Sequence, residues 1–589
     1  MNYQLRLFLV ACGVVLTGFA GAGQIKEYKP VTNAESLNPD PGDWIHWRRT
    51  PDGQAFSPLT QINKQNVHTL QLVWSWASHD GMTEATPHVR GGIMFLPQAS
   101  GGVQALDAVT GDLLWDYHLG LAKADIGEGS GNTRVTGLGN AAGLSRPMRN
   151  LAFWGDKVYT ATSIHQGGKL VALDAKTGKV VWEQPVGYGH SAGPIAADGK
   201  IVLGTTNCQE FSKADPPCFI AALDAETGKE IWKTSTIQRP GEGGPDSWSG
   251  IPLMFRRGGE NWGAGSYDPK TRLVYFGTAQ AKPWIPYQRH TDGTALYTSS
   301  TLALDIDTGK IAWYYQAIPG EAYDMDETFE RILIDYDGKS SVFEMGKIGI
   351  LWEMDRRTGQ YRSAHDLGYQ DQGHIDPKTG QLVYDRLPQQ GVPISFCPGV
   401  SGFKNWRAMA YYPKTYAVFI PLQLWCTTGV PAPPIEQKEG GGGTGGFRNS
   451  KSSFHPTRPD GTGEFAAMDI RNGKILWSHK TRTPPTTSAM TTAGGLVVVG
   501  NFNRNTYFYE AETGKILYQV RLPGPPVGSP TTYMVNGRQY VAIPLGTGSM
   551  GGWMRTPPGL MPDIRAQSQR WEFFPNGVHV FALPQPPRK

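Results

Sequence analysis

Charge is scarce in this chain. Only 18% of its 589 residues are Asp, Glu, Lys or Arg, and the net charge of +4 comes without any long Lys/Arg run. That excludes the basic footprint of a nucleic-acid-binding protein. With aromatic residues at 11%, the low charge also excludes an intrinsically disordered chain. Long apolar runs are missing after the N-terminal segment, and none approaches the roughly 18 residues of a membrane-spanning helix. Cysteine is rare as well, five in all, with no CxxC pair for a zinc ribbon and no CxxCH for a c-type haem.

The N-terminal segment reads as a secretory signal. Arg6 supplies the positive start, Leu7 to Ala20 the apolar stretch, and Ala20-Gly21-Ala22 the small-residue cleavage pattern. Cleavage after Ala22 is expected, leaving 23–589 as a periplasmic chain. Leu9-Val10-Ala11-Cys12 resembles a lipoprotein box, but about five apolar residues precede Cys12, fewer than the ~7 of an ordinary apolar region. Lipidation is therefore the lesser reading. Removal of the signal leaves Cys208, Cys218, Cys397 and Cys426. An even count in an exported chain favours disulfides, and pairing sequence neighbours is the cheapest of the three connectivities.

What is abundant is glycine, proline and aromatic residues: 74 Gly, 44 Pro, 18 Trp, 24 Tyr and 22 Phe. Short apolar runs separated by Gly and Pro signal strands and turns. One pattern recurs: a strand ending in Asp, then two residues, Thr-Gly, three residues and Trp. It reads ALDAVTGDLLW (Ala105–Trp115), ALDAKTGKVVW (Ala172–Trp182), ALDAETGKEIW (Ala222–Trp232) and ALDIDTGKIAW (Ala303–Trp313). Weaker copies start at Glu353, Ala467 and Tyr509. Asp can cap the tight turn, Gly takes a positive φ, and the next strand delivers Trp between layers. The shortest repeat intervals fit one four-stranded blade, with the excess in loops. Seven hairpins plus the strand Val578–Ala582 predict an all-β fold, an eight-bladed β-propeller closed against Val73-Trp74-Ser75-Trp76. The run 440–446 is expected to be a flexible surface loop, because repeats resume after it.

This repeat resembles the tryptophan-docking motif of the quinoprotein alcohol dehydrogenases of the methanol/ethanol type. The stretch Phe56-Ser57-Pro58-Leu59-Thr60-Gln61-Ile62-Asn63 is similar to that family's opening signature. Ser266-Tyr267-Asp268-Pro269, Leu296-Tyr297-Thr298 and Gly346-Lys347-Ile348-Gly349-Ile350-Leu351-Trp352 also look like family segments. The likeness covers essentially the whole chain after the signal. It implies pyrroloquinoline quinone (PQQ), a planar anionic o-quinone, on the propeller axis, with calcium at its reactive carbonyl. Such a group needs a flat π-surface, cations for its carboxylates and a hard cation.

Carried over residue by residue, the resemblance makes Trp262 the stacking ring, although one more core Trp is the plain alternative. Glu84 becomes a cofactor-contacting acid rather than a solvated loop acid. Arg149 becomes the partner of a PQQ carboxylate, with Arg146 close by, and Ser191 a hydroxyl donor. Lys347 is the cation near the quinone oxygens, and Asn405 and Trp406 are further contacts, with propeller packing as the alternative for Trp406. Metal ligands are expected at Glu210, in Asn207-Cys208-Gln209-Glu210, and at Gln280, which replaces the family's Asn by the same amide on a longer arm. Asp292 is expected as the catalytic base and as a third metal ligand. Strict registration puts Thr294 there instead, in which case Glu210 or His290 would serve. Lanthanide-using relatives carry a second Asp two residues on. Neither Thr294 nor Leu296 is acidic, so calcium is expected.

The family's adjacent-cysteine segment reads Pro97-Gln98-Ala99-Ser100-Gly101-Gly102 here, without cysteine. A roomier site follows, suited to a bulky or secondary alcohol. With no haem site in the chain, electrons are expected to pass to a separate soluble cytochrome c. The rival reading is a non-catalytic periplasmic propeller scaffold of the outer-membrane assembly type. Long inserted loops oppose it, as does the joint presence of Glu84, Glu210, Trp262 and Lys347.

Overall fold

Short β-branched and aromatic runs form strands throughout the computed structural model, which describes residues 25–79, 83–118, 147–162, 166–213, 218–242, 244–546, 560–564 and 576–585. The expected signal segment, Cys12 and Arg146 lie outside these residues. Successive antiparallel four-stranded sheets cover 88–117, 152–188, 195–235, 266–316, 332–366, 410–481 and 490–521. The sheet of 490–521 gains a short parallel strand, Phe56–Ser57. One further sheet joins Thr531–Val535, Arg538–Leu545 and Gly577–Ala582 to Gln71–Ala77 from early in the chain. In it Trp74 pairs with Val580 and Trp76 with Val578, as the closure reading anticipated.

The repeat turns explain how sheets dock. Asp174, Asp224, Asp305 and Asp355 each accept the backbone N–H and hydroxyl of the Thr three residues on. The following Trp then lies across the next sheet's turn. Trp115 donates its indole N–H to the Ala175 carbonyl at 3.0 Å, Trp232 to Ile306 at 2.8 Å and Trp477 to Ala511 at 3.0 Å. Trp74 does the same to Ala108 at 3.3 Å, carrying the docking across the closing sheet. The turn glycine is needed twice over at Gly228: its φ is +70°, and a Cβ would lie 2.7 Å from the Trp182 ring.

Two features depart from the sequence reading. Asp376–Gly380 is a further Asp-x-x-Thr-Gly turn, but it serves a small hairpin of Gly373–Ile375 with Leu382–Tyr384 rather than a four-stranded sheet. The glycine run is also no free loop. Gly440 and Gly441 bond the backbone of Phe211, Gly443 that of Gln209, and Thr444 that of Trp284. Glycine allows this close approach, since a Cβ at Gly446 would strike the Trp284 ring. The run is thus a strap over 209–211 and 284. Both disulfides join sequence neighbours, Cys208–Cys218 and Cys397–Cys426.

Candidate active site

Loops at one end of the sheets bring most of the expected residues together. Gly258, at φ +103°, lets its chain pass directly against Gln280, where any Cβ would meet the Gln280 carbonyl. Arg257–Gly258 consequently pairs with Ala281–Lys282, and Ala279 donates to the Glu260 carbonyl at 2.8 Å. The turn that follows presents Trp262, held by a 3.2 Å bond from its N–H to the Thr328 hydroxyl. Phe329 meets the indole edge-on, with centroids 4.8 Å apart. On Phe329 in turn lies Lys404, 4.6 Å from the ring centroid and paired with Glu330 at 2.8 Å.

Arg149 is the hub of one half of the site. Its guanidinium reaches Glu84 at 2.6 Å, the Trp262 carbonyl at 2.7 Å and the Ser191 hydroxyl at 3.4 Å. It also stands 5.8 Å from the Trp262 ring and 5.6 Å from the Trp406 ring. Arg407 approaches Trp406 from its own side at 5.0 Å and feels the charge of Glu84. Burial depresses the Arg407 pKa well below its usual value, and Glu84 opposes that shift. Arg149 is thus ion-paired to Glu84 beside the two indoles, with Arg407 in the field of the same carboxylate. Trp406 Nε1 is buried without an acceptor among the described residues. An anionic, planar group with acceptor oxygens fits these donors.

The other half centres on acids that the sequence reading did not single out. Asp324 and Asp326 grip Lys347 at 2.9 and 2.7 Å. Asp324 also accepts from the Gln280 amide, and Asp326 from the Gln280 backbone N–H at 3.2 Å. Burial works against the Lys347 charge, yet Asp324 and Asp326 outweigh it and push its pKa up. Burial likewise drives Asp324 well upward, with Lys347 pulling it back. Gln280 Oε1 is buried with no hydrogen-bond partner among the described residues. An unpaired carbonyl-type oxygen is the donor a hard cation takes. Lys282 and Glu260 add a buried ion pair on the same ladder.

The two halves are continuous. Lys347 accepts from the Phe403 N–H at 2.7 Å, which starts the segment carrying Asn405, Trp406 and Arg407. Asn405 spends its amide locally: Nδ2 donates to the Ser401 carbonyl and Oδ1 accepts from the Trp406 N–H. Beneath both halves runs 321–331, whose Glu321, Asp326, Glu327 and Glu330 are all buried.

Two expected residues stand apart. Asp292 is exposed, and its carboxylate accepts from the Ser249 hydroxyl at 3.0 Å. Left-handed residues at His290 and Ala295 bracket that loop and carry it outward, so none of its described contacts reaches Gln280 or Lys347. Thr294 and His290 are exposed on the same loop. Glu210 is exposed too, its carbonyl held by Arg257 Nε at 2.5 Å. That bond leaves the Glu210 backbone beside the strand that pairs with Ala281–Lys282, while its carboxylate reaches no other site residue among the described residues.

Known proteins resemble this chain over most of its length. The PQQ family described as "Glucose/ethanol/alcohol dehydrogenase, beta-propeller domain" matches residues 44–361 and 377–541. The quinohemoprotein alcohol dehydrogenase ADH IIB of Pseudomonas putida is 31% identical, covering 88% of this chain and 76% of its own. The quinoprotein alcohol dehydrogenase PedH of a Pseudomonas putida strain is 30% identical, with 93% of each chain covered. Among solved structures, a europium-containing methanol dehydrogenase superposes with a TM-score of 0.81 at 25% identity, covering 94% of this chain and 100% of its own. The quinohemoprotein alcohol dehydrogenase of Comamonas testosteroni gives 0.76 at 27% identity, covering 95% and 85%. With this fold, this cluster of indoles and guanidiniums and these relatives, the chain belongs to the PQQ-dependent quinoprotein alcohol dehydrogenases.

Proposed function

We propose that the protein is a periplasmic, calcium-dependent alcohol dehydrogenase, a single eight-bladed propeller over 23–589 after removal of a signal segment at 1–22. The observation that carries this reading is the hub at Arg149, which ties Glu84, Ser191, Trp262 and Trp406 into one cationic, aromatic cradle. Trp262 supplies the stacking surface, and Arg149 with Arg407 offers charge to the cofactor carboxylates. Asn405 and Trp406 border it, and Lys347 stands ready for the quinone oxygens. Gln280 offers an amide oxygen to calcium, with Glu210 the second ligand if its exposed side chain turns inward. PQQ, when bound, supplies a two-electron acceptor for the alcohol hydride. The chain's own part is to orient that acceptor, hold Lys347 protonated and keep the floor dry with Phe329. Asp292, as placed beside Ser249, is not positioned to take the alcohol proton.

The substrate is proposed to be a bulky or secondary alcohol. Residues Ala99–Gly101 form one short turn of small side chains where the family carries adjacent cysteines, its Gly101 carbonyl held by Thr160 at 3.0 Å. Electrons are proposed to leave to a soluble cytochrome c. Reconstituting the purified protein with PQQ and Ca²⁺ and screening alcohols with a dye acceptor tests the reading. Activity on larger alcohols is expected, together with a higher melting temperature when PQQ is present. Neither activity nor PQQ protection would sink the reading, and methanol turning over faster than every larger alcohol would sink the substrate assignment.

A further inference from the structure

The two ends of a glutamine amide are chemically opposite, and Asp324 distinguishes them. One Asp324 oxygen is taken by Lys347 Nζ at 2.9 Å and the other faces the Gln280 amide. Ion-paired to Lys347, the Asp324 carboxylate accepts, and the Gln280 amide turns Nε2 toward it and Oε1 away. Oε1 is the atom left buried without a partner among the described residues. Asp326 reinforces the arrangement, because it holds the Gln280 backbone N–H and Lys347 at once. Glutamine has one more rotatable bond than the family's asparagine, so an unanchored amide here would sample both faces and several rotamers.

We infer that Asp324 is a positioning residue: it presents Gln280 Oε1 as the ligand to a hard cation and fixes that amide to Lys347. Asp324 thereby compensates for the longer arm at position 280. The inference rests on the reading of this site as a PQQ–calcium centre.

The test is calorimetric titration of calcium into the full-length protein saturated with PQQ, beside ligand-free melting of each variant as a check on folding. Asn tolerates the left-handed backbone at Asp324, φ +69°, so Asp324→Asn is the suitable change. It can donate to Gln280 Oε1 and release the amide. Loss of such an outer partner should raise the calcium Kd about 10–100-fold. Gln280→Glu alone sets two carboxylates face to face. The double variant Gln280→Glu/Asp324→Asn exchanges the two groups at constant charge and should bind calcium about tenfold or more tightly than either single variant. A merely structural Asp324 gives no such rescue. Should Asp324→Asn not fold, Gln280→Glu against the double variant carries the same comparison. Calcium affinity unchanged in Asp324→Asn, or no gain in the double variant, overturns the inference alone. Failure of the unmodified protein to bind PQQ and calcium overturns the reading of the site, and the inference with it.

Discussion

His88 illustrates how burial decides the charge of a single side chain. Its ring is fully buried, with Nδ1 toward the Trp44 carbonyl and Nε2 accepting from the Leu151 N–H. Burial, only partly offset by the Trp44 carbonyl, holds its pKa down at about 3. Because the folded value lies below the unfolded one, the stabilisation is complete above about pH 6.5 and is lost as pH falls toward 3. At pH 4.5 the loss is roughly 2–3 kcal/mol, which is about 2 °C in Tm for a chain of this length. His88→Gln keeps a donor and an acceptor, so its melting temperature should fall about 2 °C less than the parent's between pH 7 and 4.5. An identical acid shift in both proteins would contradict the assignment. At this scale the sequence was partly readable. Trp262 and Arg149 were found through resemblance and touch each other, while Lys347, found the same way, lies with Asp324 and Asp326. Asp324 and Asp326 were not found, because acids in an aperiodic loop look solvated until Lys347 is seen held between them, and Arg407 was passed over beside Trp406.

At the scale of an element, the docking turn was the most legible feature, since Asp cap, Gly and Trp each act within a few residues of one another. Gly228→Ala should destabilise the protein by about 2–4 kcal/mol, combining left-handed strain with a Cβ pressed on the Trp182 indole. Gly91→Ala, at φ +57° with nothing within 4 Å, is the control and should cost only about 1 kcal/mol. Denaturant midpoints compare the two, and equal losses would refute the docking argument. The strap at 440–446 was misread because glycine marks both a free loop and a tight approach. Only the backbone bonds to Gln209, Phe211 and Trp284 separate these. The hairpin around Asp376–Gly380 likewise shows that a sound turn does not by itself announce a full sheet.

At the scale of the molecule, everything depends on the sheet that borrows Gln71–Ala77. Val578, Val580 and Ala582 are buried there between Gln71–Ala77 and Arg538–Leu545. Deleting 577–589 should therefore leave two unpaired edges and an aggregating chain with no cooperative melt. A soluble protein melting within a few degrees of the parent would show that closure is dispensable. The same arrangement sets a clock on synthesis. Gln71–Ala77 cannot find its partner until Gly577 has been made, some 500 residues later. At about 5–20 residues per second that is a wait of roughly 25–100 s. For that interval the early strand keeps a bare edge beside Trp74 and Trp76, so the nascent chain is a natural client for a holding chaperone until its last strand arrives.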